Sequence, residues 1–193
     1  MDEVENAGKI LRGCRAMWGS FDKTDWTLLG KDDDDLSIDM NPETESKKNV
    51  LGDTVTDNKG YKPSISPNYI ARREDSIYPP LQKIVNTLST DERNTTMYML
   101  VATLTEEVKE SDTKTLTGEG YMVKTQVVVN NDGGGTAGYT IPFTASEDGG
   151  RIPGTVSVTE RVPTFTPKSD ATTPETASVT SQTENKGTST TGK

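Results

Sequence analysis

Thr95-Thr96-Met97-Tyr98-Met99-Leu100-Val101-Ala102-Thr103-Leu104, running on to Val108, is the stretch from which the rest of the chain is read. Tyr98, Leu100, Ala102 and Leu104 share one parity, and Met97, Met99 and Val101 the other. Successive side chains of a strand point to opposite faces, so a strand here is apolar on both. Such a strand must be covered on both sides, by a second sheet, a helix or a neighbouring subunit.

Downstream, Tyr121, Val123, Thr125, Val127 and Val129 alternate with Lys124 and Gln126, which reads as one face in a core and the other in solvent. Asn130 to Gly135 reads as a Gly-rich turn, and Ala137, Tyr139, Ile141, Phe143 and Ala145 as the returning strand of a hairpin. Asp148-Gly149-Gly150 then predicts a second turn. Ile152, Val156 and Val158 share one face of a third strand, so the three strands are expected to meander. Pro142 and Pro153 lack an amide donor and belong at bulges or edges.

Upstream, Leu36, Ile38 and Met40 alternate with Ser37 and Asp39 as in a short strand. A single helix is predicted where Ile77, Leu81, Ile84, Val85 and Leu88 form a stripe at the 3.6-residue period. Asp75 and Ser76 are its candidate caps, and Pro79 and Pro80 suit a first turn, where amide donors have no helical partner. The expected fold is mainly β, with antiparallel sheets closed on one side by that helix.

Composition supports this reading and removes several chemistries. In 193 residues the hydrophobic set is 30% and aromatics 6%, with 17 Gly and 10 Pro, which disfavours a helical bundle and leaves a thin core. There is no histidine, so no Ser-His-Asp or Cys-His catalytic pair and no imidazole base can be built. Cys14 is the one cysteine, which excludes an internal disulfide or a CxxC pair and leaves a passive buried thiol as the expectation. Twenty-one Lys and Arg face 30 Asp and Glu, a net charge of -9, and Arg12 with Arg15 and Arg72 with Arg73 are the nearest thing to basic patches. A surface of that balance does not grip nucleic acid, although DNA could pass it without sticking. The acidic start Met1-Asp2-Glu3-Val4-Glu5 and the short apolar runs predict neither a secretory signal nor a membrane span, hence a soluble protein made in the cytoplasm. From Ser169 to Lys193, 12 of 25 residues are Ser or Thr, so residues 1–168 are expected to form the domain and 169–193 a flexible tail.

Four features invite a chemical reading. Gly133, Gly135 and Gly138 spell GxGxxG, but a strand and not a helix is expected after them, so pyrophosphate would find no helix N-terminus. Asp32 to Asp35 with Glu43 approaches the spacing of a calcium loop, yet Ser37 stands where the sixth-position glycine belongs. Glu106 and Glu107 are adjacent at a strand end and point apart, which suits edge charges better than an acid and base pair. Trp18 and Trp26 are read as anchors of the core or of a subunit contact rather than a ligand platform. No catalytic, cofactor-binding or metal-binding residue is assigned.

Lys47-Lys48-Asn49-Val50-Leu51-Gly52, followed by Gly60-Tyr61-Lys62-Pro63, resembles the major tail proteins, or tail tube proteins, of long-tailed bacteriophages, especially those of Gram-positive hosts. The resemblance continues through the helix at Pro79 to Leu88, the strand after Asp91-Glu92-Arg93, Tyr139-Thr140-Ile141-Pro142-Phe143 and Gly154-Thr155-Val156-Ser157-Val158, and covers about residues 15 to 166. It implies a β-sandwich or barrel-like domain of two antiparallel sheets with one flanking helix, and a non-enzymatic virion protein that polymerises as stacked, hexameric rings. The hollow tail tube so formed conducts DNA to the host without binding it specifically. The implied partners are further copies of the chain, tail-tip or baseplate proteins, a tape-measure protein and a tail terminator, with no membrane and no cofactor; the implied location is the phage tail. The segment from about Asn41 to Tyr78 resembles the family's extended inter-subunit loop, which makes Lys47, Lys48, Asn49, Val50, Leu51, Tyr61, Tyr69 and Tyr78 candidate ring-interface residues. The competing class is an adhesin-like or carbohydrate-binding β-sandwich. It would use Trp18, Trp26 or the acidic run Asp32 to Asp35 with Glu43.

Overall fold

A computed structural model describes residues 10, 12–31, 33, 35–108, 114–136 and 138–168. The chain is mainly β, built of antiparallel sheets with one main helix, as expected. After a single 3-10 turn at Arg12–Cys14 come β1 (Arg15–Ser20), β2 (Thr27–Leu28), β3 (Ile38–Asp39), β4 (Pro42–Lys48), β5 (Thr54–Tyr61) and β6 (Ser64–Ile65). Helix α1 (Tyr78–Thr87) and the one-turn helix α2 (Glu92–Thr95) lead into β7 (Thr96–Leu104) and the long β8 (Leu116–Val129). The remaining strands are β9 (Gly133–Gly135), β10 (Gly138–Thr140), β11 (Phe143–Glu147), β12 (Ile152–Thr159) and β13 (Val162–Pro167).

The two-faced reading of β7 holds. Met97, Met99 and Val101 lie in one buried cluster, and Leu100, Ala102 and Leu104 in another on the opposite face. β8 pairs with β7 from Thr96↔Gln126 to Leu104↔Gly118 and follows the same parity, so Val123 and Val127 join the first cluster and Leu116 the second. Leu81 and Ile84 of α1 cover the first face, together with Leu29, Leu36 and Tyr69. Val156 and Val158 of β12, with Phe165 of β13, cover the second. The layers are formed by one nine-stranded sheet that curls, while β4–β5 and β9–β10 stand apart as two-stranded ribbons.

Three local expectations are corrected. Asp148-Gly149-Gly150 does not reverse the chain. β11 and β12 both pair with β8, as Glu147↔Thr125 and then Ile152↔Met122, so the segment between them is a bulge in one antiparallel edge and the strands do not meander. The reversal comes at Glu160 and Arg161, both with positive φ, which joins β12 to β13. The hairpin itself forms as expected, with Phe143 opposite Val129, but its Gly-rich tip is not a simple turn from Asn130 to Gly135 and extends as the β9–β10 ribbon. Third, Asp75 and Ser76 do not cap α1, whose N-cap Ile77 makes no side-chain bond. The Asp75 carboxylate instead accepts from the Tyr69 hydroxyl at 3.1 Å, and Ser76 Oγ donates to the Asp25 carbonyl at 2.9 Å.

The prolines sit as their chemistry requires. Pro142 falls in the gap between β10 and β11, and Pro153 lies beyond the last β13 pair. Leu36 is buried and Met40 exposed, so the alternation at Leu36 to Met40 yields only the two-residue β3. The Ser/Thr-rich tail, 169–193, lies outside the described residues. No helix among the described residues is long and apolar enough to cross a membrane.

Candidate assembly surface

Between β3 and β6 the chain leaves the body as a β-ribbon. β4 and β5 pair from Pro42↔Tyr61 to Lys48↔Thr54, and every residue of β4 is exposed. Asn41 fastens the base: its side-chain amide donates to the Lys62 carbonyl at 3.0 Å and to Ser64 Oγ at 3.1 Å. A register shift after Glu43, opposite Gly60 with φ 137°, puts a bulge near the root. Lys62 with Glu43 and Lys59 with Glu45 are surface pairs at 2.6 and 3.1 Å, and contribute little.

The tip is ordered by Asn49. Its Oδ1 accepts from the amides of Leu51 and Asp53, each at 2.9 Å, and Gly52 takes the positive φ that closes the turn. The consequence is that Val50 and Leu51 are held out in water, at 104% and 83% exposure. Val55 and Tyr61 add exposed apolar surface along the same ribbon. A two-stranded ribbon has no core of its own and is marginal in isolation, so these side chains gain stability only by contact with something else.

The fold therefore brings Lys47, Lys48, Asn49, Val50 and Leu51 together at the arm's end and Tyr61 at its base. It separates the other two interface candidates from them. Tyr69 is buried in the first cluster, where its hydroxyl donates to Asp75, itself reached by Lys31 Nζ at 3.5 Å. Burial, with the Asp75 charge adding to it, holds that phenol protonated well above its usual range. Tyr78 begins α1 and packs half-buried on the same cluster. Both belong to the body of the domain and not to the arm.

A second apolar surface escaped the sequence. The end of α1 and the end of β8 border a groove of about 560 Å³, lined by Ile84, Val85, Leu88, Val128 and Val129 and bounded by Asp132. Leu88 is 84% exposed and left-handed, with φ 47°. Asp132 Oδ1 in turn accepts from the Tyr139 hydroxyl at 2.6 Å. That hydrogen bond, then burial and the carboxylate charge, raise the pKa of Tyr139 to about 12. The helical periodicity placed Leu88 in the core stripe; the helix ends one residue earlier, and the left-handed turn swings it outward.

The basic pairs that looked scattered also converge, since Arg12, Arg15 and Arg72 line one cavity of about 640 Å³ with Lys31 and Arg161, opposed by Asp33 and Glu74. Arg73 is not among its walls.

The remaining motifs take the positions expected of structural residues. Gly133, Gly135 and Gly138 lie on the β9–β10 ribbon, with no helix following. Trp18 is buried and Trp26 packs beside it in the second cluster. Cys14 is buried. Asp33 accepts from the Asn68 amide at 3.1 Å while Glu43 sits on the arm, and Asp32 and Asp34 lie outside the described residues. No group of three potential metal ligands occurs among the described residues. Glu106 pairs with Lys114. No protein-family model matches the chain, and no curated protein is significantly similar to it in sequence.

Proposed function

We propose that the chain is a structural, non-enzymatic protomer that assembles with further copies into stacked rings, forming a hollow tail tube of a long-tailed bacteriophage through which DNA passes. The observation that carries this reading is the β4–β5 arm, which extends from a complete β body and ends in two solvent-exposed aliphatic side chains. Large exposed apolar features of this kind mark contact surfaces. The sequence resemblance assigns the same segment to contacts between subunits.

The net charge of -9 agrees with a conduit, because carboxylates on a channel wall repel phosphates and let DNA slide. The rings would be hexameric, and tail-tip or baseplate, tape-measure and terminator proteins would meet the tube at its ends.

Negative-stain electron microscopy of the concentrated full-length protein, with light scattering on the same sample, tests this. Rings or tubes of uniform diameter are expected. A protein that stays monomeric at every concentration and binds glycan or calcium would instead favour the adhesin-like reading.

A further inference from the structure

We infer that the groove between the ends of α1 and β8 is the receptor for the arm tip of a second copy, with Val50 and Leu51 of one protomer seated against Leu88 and Val128 of the next. The inference rests on the reading that copies of the chain assemble, and it names the surface that receives the arm.

Leu88 supplies the first argument. It occupies the left-handed residue that ends α1, a position where glycine is favoured because a Cβ is strained there. Its side chain is also almost wholly in water. A leucine thus carries backbone strain and solvent exposure at once, and neither is relieved within the protomer. A ligand that buries it removes the second cost.

Size, reach and charge identify the occupant. Val50, Leu88 and Leu51 are the three most exposed large aliphatic side chains among the described residues, two at the arm tip and one at the groove, and a groove of about 560 Å³ accommodates both tip residues. Seven paired residues at ~3.3 Å each carry the tip about 23 Å from the arm's base, enough to cross to a neighbour. Lys47 and Lys48 precede the tip, whereas the groove is bounded by the Asp132 carboxylate and has no lysine or arginine among its lining residues. The protomer's own arm does not fill its groove, since both features are exposed in the same chain.

The test is disulfide trapping in the full-length chain carrying Val50→Cys and Val128→Cys, with buried Cys14 left in place. Val50→Cys with Val162→Cys serves as the control, Val162 being an exposed valine on a different hairpin. Mild oxidation of assembled protein should give a ladder of covalent oligomers from the first pair, reversed by reductant, and none from the control. Assemblies visible by microscopy that give no ladder, or one equal to the control, would overturn the groove assignment and leave the tail tube reading standing. A fast-migrating monomer alone would mean the arm folds onto its own groove and would also overturn it. Monomers at every concentration would remove both readings. Leu88→Gly provides a second, independent signature. It relieves strain, so the unfolding midpoint should rise, while the concentration needed for assembly should increase about tenfold, one decade in an association constant. Unchanged assembly in that variant would count against the receptor.

Discussion

The indole Nε1 of Trp18 donates to the backbone carbonyl of Arg161 at 3.1 Å, joining β1 to the turn of the last hairpin across 143 positions of chain. Between these two points lie β7, β8, β12 and β13, so the bond links the two ends of the curled part of the sheet. Trp18 has no exposed surface and sits among Leu100, Ala102 and Val156. One side chain thus closes the second core.

Trp18→Phe is expected to destabilise the protomer by about 2–4 kcal/mol, because it removes the donor from a part-buried carbonyl and leaves a void where the larger ring stood. Urea unfolding followed by circular dichroism measures this. A change below ~0.5 kcal/mol would show that the sheet's two ends are held by other contacts.

The close pairing of β7 with β8 depends on glycine. An added Cβ at Gly120 would lie 2.2 Å from the Val101 carbonyl oxygen and 2.9 Å from the Ala102 Cα, and these are backbone atoms that cannot swing away. Gly120→Ala should therefore cost about 2–3 kcal/mol, as overpacking in a tight interior does. Gly133→Ala, where an added Cβ meets nothing within 4 Å, should change stability by less than ~0.5 kcal/mol. Thermal or urea midpoints of the two variants, compared side by side, check the contrast.

These features explain what could be read from the chain and what could not. The parity of Met97 to Leu104 and of Val123 to Val127 is a matter of side-chain alternation, which sequence displays directly, and both faces were found where it put them. The arm was legible only as a long interval between strands. Its β4 sequence, Pro42-Glu43-Thr44-Glu45-Ser46-Lys47-Lys48, has no apolar alternation because neither face is buried. Glu160-Arg161 forms the β12–β13 turn without the Asn or Gly that announces such turns, while Asp148-Gly149-Gly150 announces a turn and makes a bulge. Pairing with β8 on both sides of the bulge overrides the local signal. The groove at Leu88 depends on where α1 stops, and a helix boundary is the least certain part of a periodic pattern.

The phenol of Tyr139 gives its bond to Asp132 a signature at high pH. Its pKa, about 12, is raised above the ordinary 10.0, first by the bond to Asp132. A group whose folded value is raised favours the fold while it remains protonated, so its contribution is present below the ordinary phenol value and is lost as pH rises through about 12. The difference in phenolate absorbance between the natural chain and Tyr139→Phe isolates this titration. Asp132→Asn should move it back toward 10.0, and no movement would mean that the Asp132 bond is absent in solution.

The arm tip separates folding from assembly. Val50 and Leu51 touch no core, and the hydrogen bonds that order the tip come from Asn49 and the backbone, so Val50→Ala with Leu51→Ala removes no intramolecular packing. The unfolding free energy of the monomer should stay within ~0.5 kcal/mol, as for surface substitutions generally. Assembly should be lost or displaced to far higher concentration, because two aliphatic anchors, each worth about 1.5–3 kcal/mol when fully buried, are truncated at the contact. Asn49→Ala should act in the opposite way on structure: the tip loses the acceptor for two amides and loosens, while the apolar surface remains. Sedimentation velocity over a concentration series, with urea midpoints on the same preparations, distinguishes the two effects. A double alanine variant that forms tubes in normal yield would show that the arm's end is not what joins one copy to the next.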